Sequence, residues 1–180
     1  MKGFLFLILL ANLSFCFEYR ENFFKKKEAT VIETVDGDTI KIKMNGKVEK
    51  VRLSFVDTME SKKNKKAKKD FYSTKEDTRF DELIEYGKKA KYFLKKELPY
   101  GTKIILYIPL NKQRDSFKRI LAIVVREKDK KVINETLLLN GLARTYYLKD
   151  APRDLSDYYL KLEKKAQEEN SGIWKILKKK

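Results

Sequence analysis

The segment that most constrains the fold of this chain is an alternating apolar and polar stretch interrupted by Asn45-Gly46. It reads IKIKM before the interruption and KVEKVRL after it. Asn-Gly between two alternating stretches is the strongest short signal for a β-hairpin, because both residues accept the positive φ angles of a tight turn. One face of the hairpin is then apolar and the other carries lysines. On the returning strand, Arg52, Ser54 and Val56 are expected to point away from the apolar face.

The remaining periodic segments predict a small α+β domain. Short apolar stretches predict three further strands, at 29–34, 103–109 and 120–126. Apolar residues at helical spacing predict three helices, at 81–98, 134–140 and 154–169. Because the helices lie both between and after the strands without regular alternation, the pattern favours an α+β fold around a small barrel. The lysine-dense segment at about 61–80 lacks apolar periodicity and is predicted to be a long exposed loop.

Composition limits the possible partners. The chain has 180 residues, which suggests one domain, and its 42% apolar content is enough for a core. It carries 42 Lys and Arg against 26 Asp and Glu, a net charge of +16. A surface of this charge attracts polyanions, either nucleic acid or an anionic membrane, although solubility alone would also explain it.

The residue types that are missing limit the chemistry. The sequence contains no histidine and one cysteine, Cys16. Ser-His-Asp triads, Cys-His pairs, histidine metal sites, internal disulfides and thiolate zinc sites are therefore excluded. Any catalysis has to come from carboxylates, arginine, lysine, tyrosine and a hard metal ion that oxygen atoms bind.

The first residues have the form of a targeting signal. Lys2 precedes an apolar run that is shorter than the ~20 residues needed to span a bilayer. This predicts a signal peptide at 1–16, cut after Cys16, followed by a linker at 17–28. Lipidation of Cys16 and an uncleaved membrane anchor are the alternatives. Each of them predicts a secreted or cell-envelope protein.

Four separated motifs occur in an order and at a spacing that resemble one known family. They are VDGDT, VRLSFVDTME, DSFKRILA and INETLLLNGLAR. Together they resemble the staphylococcal nuclease (thermonuclease) family over about residues 29–174. The resemblance implies an α+β fold, a five-stranded OB-fold β-barrel with three helices, over residues 29–175, and leaves 176–180 as a basic tail.

The resemblance also implies a calcium-dependent phosphodiesterase that cleaves DNA and RNA. Asp38 and Asp57 look like the two carboxylate ligands of Ca²⁺, and Thr58 looks like a ligand through its backbone carbonyl. Oxygen ligands of this kind suit Ca²⁺ or Mg²⁺ better than zinc. Each residue also fits a purely structural role, Asp38 as a turn cap for example.

The catalytic roles follow from the same resemblance. Arg52 and Arg119 are similar to the family's two catalytic arginines, whose paired donors hold the charge that builds on the phosphate. Glu60 matches the glutamate that is assigned as the general base for the attacking water. The pattern implies products with 3′-phosphate ends.

Several positions depart from the family pattern. Met59 replaces a proline beside Glu60, and Phe117 and Lys118 replace a tyrosine and a glycine among the substrate-binding residues. Tyr147 matches one of two substrate tyrosines, while Lys149 stands where the other is expected. The adjacent Tyr146 would point elsewhere if the segment is extended. The lysine-rich insert at about 61–80 is longer than in the family, and either binds a nucleic-acid backbone or is solvated.

Taken together, the sequence predicts an exported, monomeric, calcium-dependent nuclease that binds DNA and RNA non-specifically through phosphates. One alternative is a catalytically impaired OB-fold protein that only binds nucleic acid. Another is a surface lipoprotein that binds polyanions through its basic face. The acidic ligands and both arginines are all present, which favours the enzyme.

Overall fold

Five strands close into a β-barrel in the computed structural model, which describes residues 23–73, 80–146, 148 and 151–177. In chain order the strands are β1 Phe24–Asp36, β2 Thr39–Met44, β3 Lys47–Leu53, β4 Val56–Thr58, β5 Lys103–Pro109, β6 Ile120–Arg126, β7 Lys131–Val132 and β8 Ala143–Thr145. The helices are α1 Lys65–Ser73, α2 Phe80–Glu97, α3 Ile133–Leu139 and α4 Arg153–Glu168, followed by a 3₁₀ turn at Gly172–Lys175.

The barrel has the strand order β3-β2-β1-β5-β6 and closes where β3 pairs with β6. The closing pair is parallel, with Val51 opposite Ile120, and the other neighbours in the barrel are antiparallel. Strand β7 extends β6 as a short hairpin, and β4 and β8 form a separate two-stranded sheet. The predicted α+β fold, a five-stranded barrel with three main helices, is confirmed.

The predicted hairpin is the β2–β3 pair. Met44 lies opposite Lys47, and the turn residues Asn45 and Gly46 have φ angles of 50° and 76°. The side chains that β2 and β3 direct inward are fully buried, among them Ile40, Ile42 and Val51. The apolar positions of the alternating sequence are therefore the ones that face the interior of the barrel.

The helices cover the barrel and complete one continuous core. Buried residues of α2, α3 and α4 belong to the same hydrophobic cluster as the inner faces of the strands; they include Ala90, Leu94, Ile133, Leu137, Leu138, Leu155 and Tyr159. The helix bounds differ from the predicted ones by a residue at each end.

Several strand boundaries differ from the prediction. Strand β1 begins at Phe24, because residues 24–30 pair with β5, so the second half of the predicted linker is strand. Strand β3 ends at Leu53, and Phe55 has a φ of 63°, which turns the chain toward β4. The expectation that Ser54 and Val56 point away from the apolar face is therefore wrong, since both side chains are buried.

The predicted loop at 61–80 contains helix α1, so that prediction is wrong over Lys65–Ser73. Asn64 caps the helix: its side-chain Oδ1 accepts a hydrogen bond from the backbone N–H of Ala67 at 2.8 Å. The helix buries Ala67, and the signal that marks its start is the Asn64 cap and not an apolar periodicity.

Some predictions concern residues outside the described ranges. The predicted signal peptide at 1–16 with Cys16, and the substrate-binding residue Tyr147, lie there. Within the described ranges, none of the helices combines the length and apolar character required to cross a membrane.

Asn134, in the first turn of α3, joins two parts of the barrel that are far apart in sequence. Its side chain is fully buried, and Oδ1 accepts a hydrogen bond from Val124 N at 2.8 Å. Its Nδ2 donates to the carbonyl oxygen of Ser54 at 2.7 Å and to that of Ala122 at 3.3 Å. The amide therefore satisfies backbone groups of β6 and of the β3–β4 connection.

Replacing Asn134 by alanine would remove the side-chain partner of the buried Val124 N–H and of the Ser54 carbonyl oxygen, while the Ala122 carbonyl oxygen keeps its hydrogen bond from Ser54 N. Each such group costs about 1–3 kcal/mol, so Asn134→Ala should lower the free energy of unfolding by about 2–5 kcal/mol. Asn140→Ala, which removes one exposed hydrogen bond to Thr136, should cost under about 1 kcal/mol. Urea denaturation of both variants measures the difference, and equal losses would contradict this role of Asn134.

Glu135, the next residue of α3, is a buried acid. Burial raises the pKa of its carboxyl to about 7, and a hydrogen bond with Tyr158 opposes that rise in part. The folded protein therefore keeps a proton on Glu135 at pH values where the unfolded chain has lost it. Stability from this group is complete below pH 4 and falls as the pH rises toward 7.

Glu135→Gln should remove this pH dependence. The pKa difference corresponds to about 3 kcal/mol between pH 4 and pH 8. We therefore expect the variant to match the parent protein near pH 4 and to be more stable at pH 8. Thermal unfolding at both pH values tests this, and a constant difference between the proteins across that range would contradict it.

Candidate active site

A polar cleft of about 440 Å³ lies beside the β1–β2 turn, strand β3 and the loop before β6. Its ionisable lining residues are balanced in charge: five are acidic and five are basic. The acids are Asp36, Asp38, Asp57, Glu60 and Asp115, and the bases are Lys50, Arg52, Lys66, Lys112 and Arg119.

Six of the nine predicted site residues line this cleft. They are Asp38, Arg52, Asp57, Glu60, Phe117 and Arg119. Thr58 contacts Asp38 from strand β4, and Lys118 lies in the loop that carries Phe117 and Arg119. The fold thus brings together residues that are up to 81 positions apart in the sequence.

Asp38 immediately precedes β2 and is only 4% exposed. Its Oδ1 accepts a hydrogen bond from Thr39 Oγ1 at 2.9 Å, and its Oδ2 accepts from Thr58 N and Thr58 Oγ1, each at 3.2 Å. Gly37 allows this approach, because a Cβ at that position would lie 2.6 Å from Thr58 Oγ1. The turn and β4 therefore hold the carboxylate in a fixed position.

Arg52 bridges two carboxylates from strand β3. Its Nη1 forms an ion pair with Asp38 Oδ2, and its Nη2 donates to Asp57 Oδ1 at 2.7 Å. Nη2 also donates to the carbonyl oxygen of Val56 at 3.2 Å. One guanidinium thus fixes both predicted metal ligands relative to the barrel.

Asp57 is surrounded by three cations. Lys66 Nζ lies 3.2 Å from Oδ1, and Arg144 Nη2 lies 3.4 Å from Oδ2, in addition to Arg52. Burial raises the pKa of the Asp57 carboxyl, but Lys66, Arg52 and Arg144 outweigh burial and hold the pKa below its usual range. Asp57 is therefore ionised at neutral pH, as a metal ligand has to be.

Glu60 is held at both carboxylate oxygens by the insert. Lys66 Nζ donates to Oε1 at 2.8 Å, and Asn64 Nδ2 donates to Oε2 at 2.7 Å. Sequence reasoning missed both partners. Nothing in the sequence distinguishes Lys66 from the neighbouring lysines. Asn64 could have been found, because asparagine is a typical N-cap of a helix.

Arg119 is oriented by Asp115, another residue that sequence reasoning missed. Asp115 Oδ2 accepts from Arg119 Nε at 2.7 Å and Nη2 at 2.6 Å, and Oδ1 accepts from the backbone N–H groups of Phe117 and Arg119. Burial raises the pKa of Asp115, but these hydrogen bonds outweigh it and lower the pKa overall. Lys118 has a φ of 62°, so it adopts the backbone conformation that a glycine would favour at this turn.

Two exposed aromatic rings flank the arginines. The Phe117 ring centroid lies 5.4 Å from Arg119 Cζ, and the Tyr146 ring centroid lies 6.0 Å from Arg52 Cζ. Phe117 is 79% exposed and Tyr146 is 52% exposed. Tyr146, which would point elsewhere if its segment were extended, lines the cleft.

The donor atoms around Asp38 and Asp57 fit a hard divalent cation. They are carboxylate oxygens with the backbone of Thr58 beside them, and hard cations prefer oxygen. Among the described residues, no three His, Cys, Asp or Glu side chains form a ready metal cluster.

The sequence matches a family model and several known proteins. The family model described as staphylococcal nuclease homologue matches residues 50–176, which include Arg52, Asp57, Glu60 and Arg119 but not Asp38. An uncharacterized protein of Methanocaldococcus jannaschii is 35% identical over 150 residues, which cover 80% of this chain and 70% of that protein.

Two similar proteins of Bacillus subtilis carry names that state an activity. The SPbeta prophage-derived endonuclease YokF is 35% identical over 147 residues, which cover 82% of this chain and 44% of YokF. Endonuclease YncB is 33% identical over 150 residues, which cover 83% of this chain and 63% of YncB. The chain thus spans less than two thirds of both endonucleases.

Gly87 of helix α2 sets the position of the backbone at Glu60. A Cβ on Gly87 would lie 2.2 Å from the Glu60 carbonyl oxygen and 2.7 Å from that of Met59. Gly87→Ala would raise intrinsic helix propensity by about 1 kcal/mol, but we expect a net loss of about 1–3 kcal/mol because the backbones have to separate. Urea denaturation gives the sign, and a stabilised variant would contradict this close approach.

Proposed function

The chain belongs to the staphylococcal nuclease family, and from this membership and the cleft we propose that it hydrolyses phosphodiester bonds of DNA and RNA with the help of Ca²⁺. The observation that carries the proposal is one cleft that holds two arginines together with Asp38, Asp57 and Glu60. The endonuclease names of the two Bacillus relatives support the same reaction class.

The two arginines would bind the phosphate and stabilise the charge that develops on it. Asp115 holds Nε and Nη2 of Arg119, and Nη1 lies 3.4 Å from Thr39 Oγ1, inside the cleft. This fixed plane lets Arg119 present Nη1 to a phosphate oxygen without reorienting. Arg52 is fixed in the same way by Asp38 and Asp57.

Glu60 would accept the proton of the attacking water. Its two oxygens are fixed by Asn64 and Lys66, which keeps the carboxylate in the cleft despite Met59 at the position of the family's proline. Asp38, Asp57 and the carbonyl of Thr58 would hold the Ca²⁺. A bound hard cation neutralises a phosphate oxygen and lowers the repulsion that the anion exerts on the nucleophile.

The charge of the chain suits an anionic polymer. The net charge of +16 favours association with nucleic acid through its phosphates, without sequence preference. Phe117, Lys118 and Tyr147 are proposed to contact the substrate. Export is proposed from the apolar N-terminus, either with cleavage after Cys16 or with a lipid attached to it.

We expect purified residues 17–180 to cleave DNA or RNA when Ca²⁺ is present and to stop when a chelator removes it. Arg119→Lys keeps the charge but loses the paired donors, so it should lower kcat about 10²–10³-fold. Arg52→Ala should do at least as much. Gel assays with defined oligonucleotides measure these rates.

Arg153→Ala is the control, because this arginine is almost fully exposed on α4 and lies outside the cleft. It should cleave at the rate of the parent protein. Tight binding of nucleic acid without cleavage under any divalent metal would refute the enzyme and favour the OB-fold binding module.

A further inference from the structure

We infer that Lys66 is a removable internal cation: it neutralises Asp57 and Glu60 while the cleft is free of metal, and a divalent cation displaces it. The inference rests on the proposed use of a metal and concerns the insert helix α1, which carries Lys66. It assigns the lysine-rich insert a role at the cleft in place of a solvated loop.

The position of Lys66 is that of a cation shared by two acids. Its Nζ lies 3.2 Å from Asp57 Oδ1 and 2.8 Å from Glu60 Oε1. Without a positive group between them, these two carboxylates would repel each other in a partly buried cleft. Lys66 therefore supplies part of the charge that a divalent cation would supply.

Lys66 and a metal ion would compete for the same oxygen atoms. Asp57 Oδ1 already accepts from Arg52 at 2.7 Å as well as from Lys66, and Oδ2 faces Arg144. A metal ligated by Asp57 would add positive charge beside these three cations, and the withdrawal of one of them would relieve the repulsion. Their contacts and their exposure indicate which one.

Lys66 is the cation that withdraws at the lowest cost. Its side chain is 43% exposed, against 12% for Arg52 and 25% for Arg144. Arg52 is also bound to Asp38 and to the backbone of Val56, so its removal would leave a buried carboxylate unpaired. Ion pairs as exposed as those of Lys66 contribute little, and an ammonium on a flexible stem moves readily.

Glu60 would stay in place after Lys66 has withdrawn. Asn64 binds the other oxygen, Oε2, and its own Oδ1 is fixed by capping α1 through Ala67 N. The first turn of the insert helix thus contains one fixed donor, Asn64, and one removable donor, Lys66. Metal can enter without loss of the position of Glu60.

The test is a calorimetric titration of the full chain with Ca²⁺, without nucleic acid and at constant ionic strength. Lys66→Met removes the charge and keeps the length of the side chain. Since the lysine no longer competes, the variant should bind Ca²⁺ about threefold to tenfold more tightly than the parent. Lys68→Met, an exposed lysine of the same helix, is the matched control and should leave the affinity unchanged.

Thermal unfolding gives a second readout that does not depend on activity. In chelator, Lys66→Met should unfold about 1–4 °C below Lys68→Met, because Asp57 and Glu60 have lost their shared cation. Saturating Ca²⁺ should abolish that difference. A parent protein that binds Ca²⁺ with the same affinity as Lys66→Met would overturn the exchange and leave the proposed function intact. Absence of Ca²⁺ binding in parent and variant alike would instead refute the proposed metal, and the exchange with it.

Discussion

The guanidinium of Arg52 and the buried carboxylate of Asp38 are the pair on which the cleft depends. A carboxylate that is 4% exposed costs several kcal/mol unless a cation and hydrogen bonds compensate its lost hydration. Arg52 provides the cation, and Thr39 and Thr58 provide the hydrogen bonds. Because Arg52 lies opposite Thr39 in the β2–β3 ladder, the hairpin itself delivers the arginine to Asp38.

Closure of the barrel then brings the second arginine to the first. The parallel β3–β6 pair sets Val51 opposite Ile120 and Arg52 opposite Leu121. Arg119 directly precedes β6, so this register places the two arginines on one side of the β3–β6 pair that closes the barrel. The Asp115 turn fixes the plane of Arg119 at that point. The site is therefore a consequence of strand register and could not form before the barrel closes.

Features that local sequence patterns encode were predicted correctly. Features that depend on contacts in the closed barrel were missed. Asn45-Gly46 specified the hairpin, and strands β5 and β6 have the predicted bounds, because their periodicity is complete within seven residues. The first half of β1 was missed because its pairing with β5 is its main determinant. Lys66, Arg144 and Asp115 could not be singled out, since each becomes important through one partner in the fold. Asn64 was the exception, because an N-cap signal can be found in the sequence.

The cleft and the whole chain differ in net charge. The chain carries +16, yet the ionisable side chains that line the cleft balance each other with Lys66 included. The basic surface can therefore gather a polyanion, while the lining of the cleft adds no net charge to that attraction. A bound divalent cation would make the cleft positive, and a displaced Lys66 would remain on α1 near its mouth. Phosphate binding in the cleft would then be tied to metal binding, and by reciprocity a bound phosphate would favour the metal over Lys66.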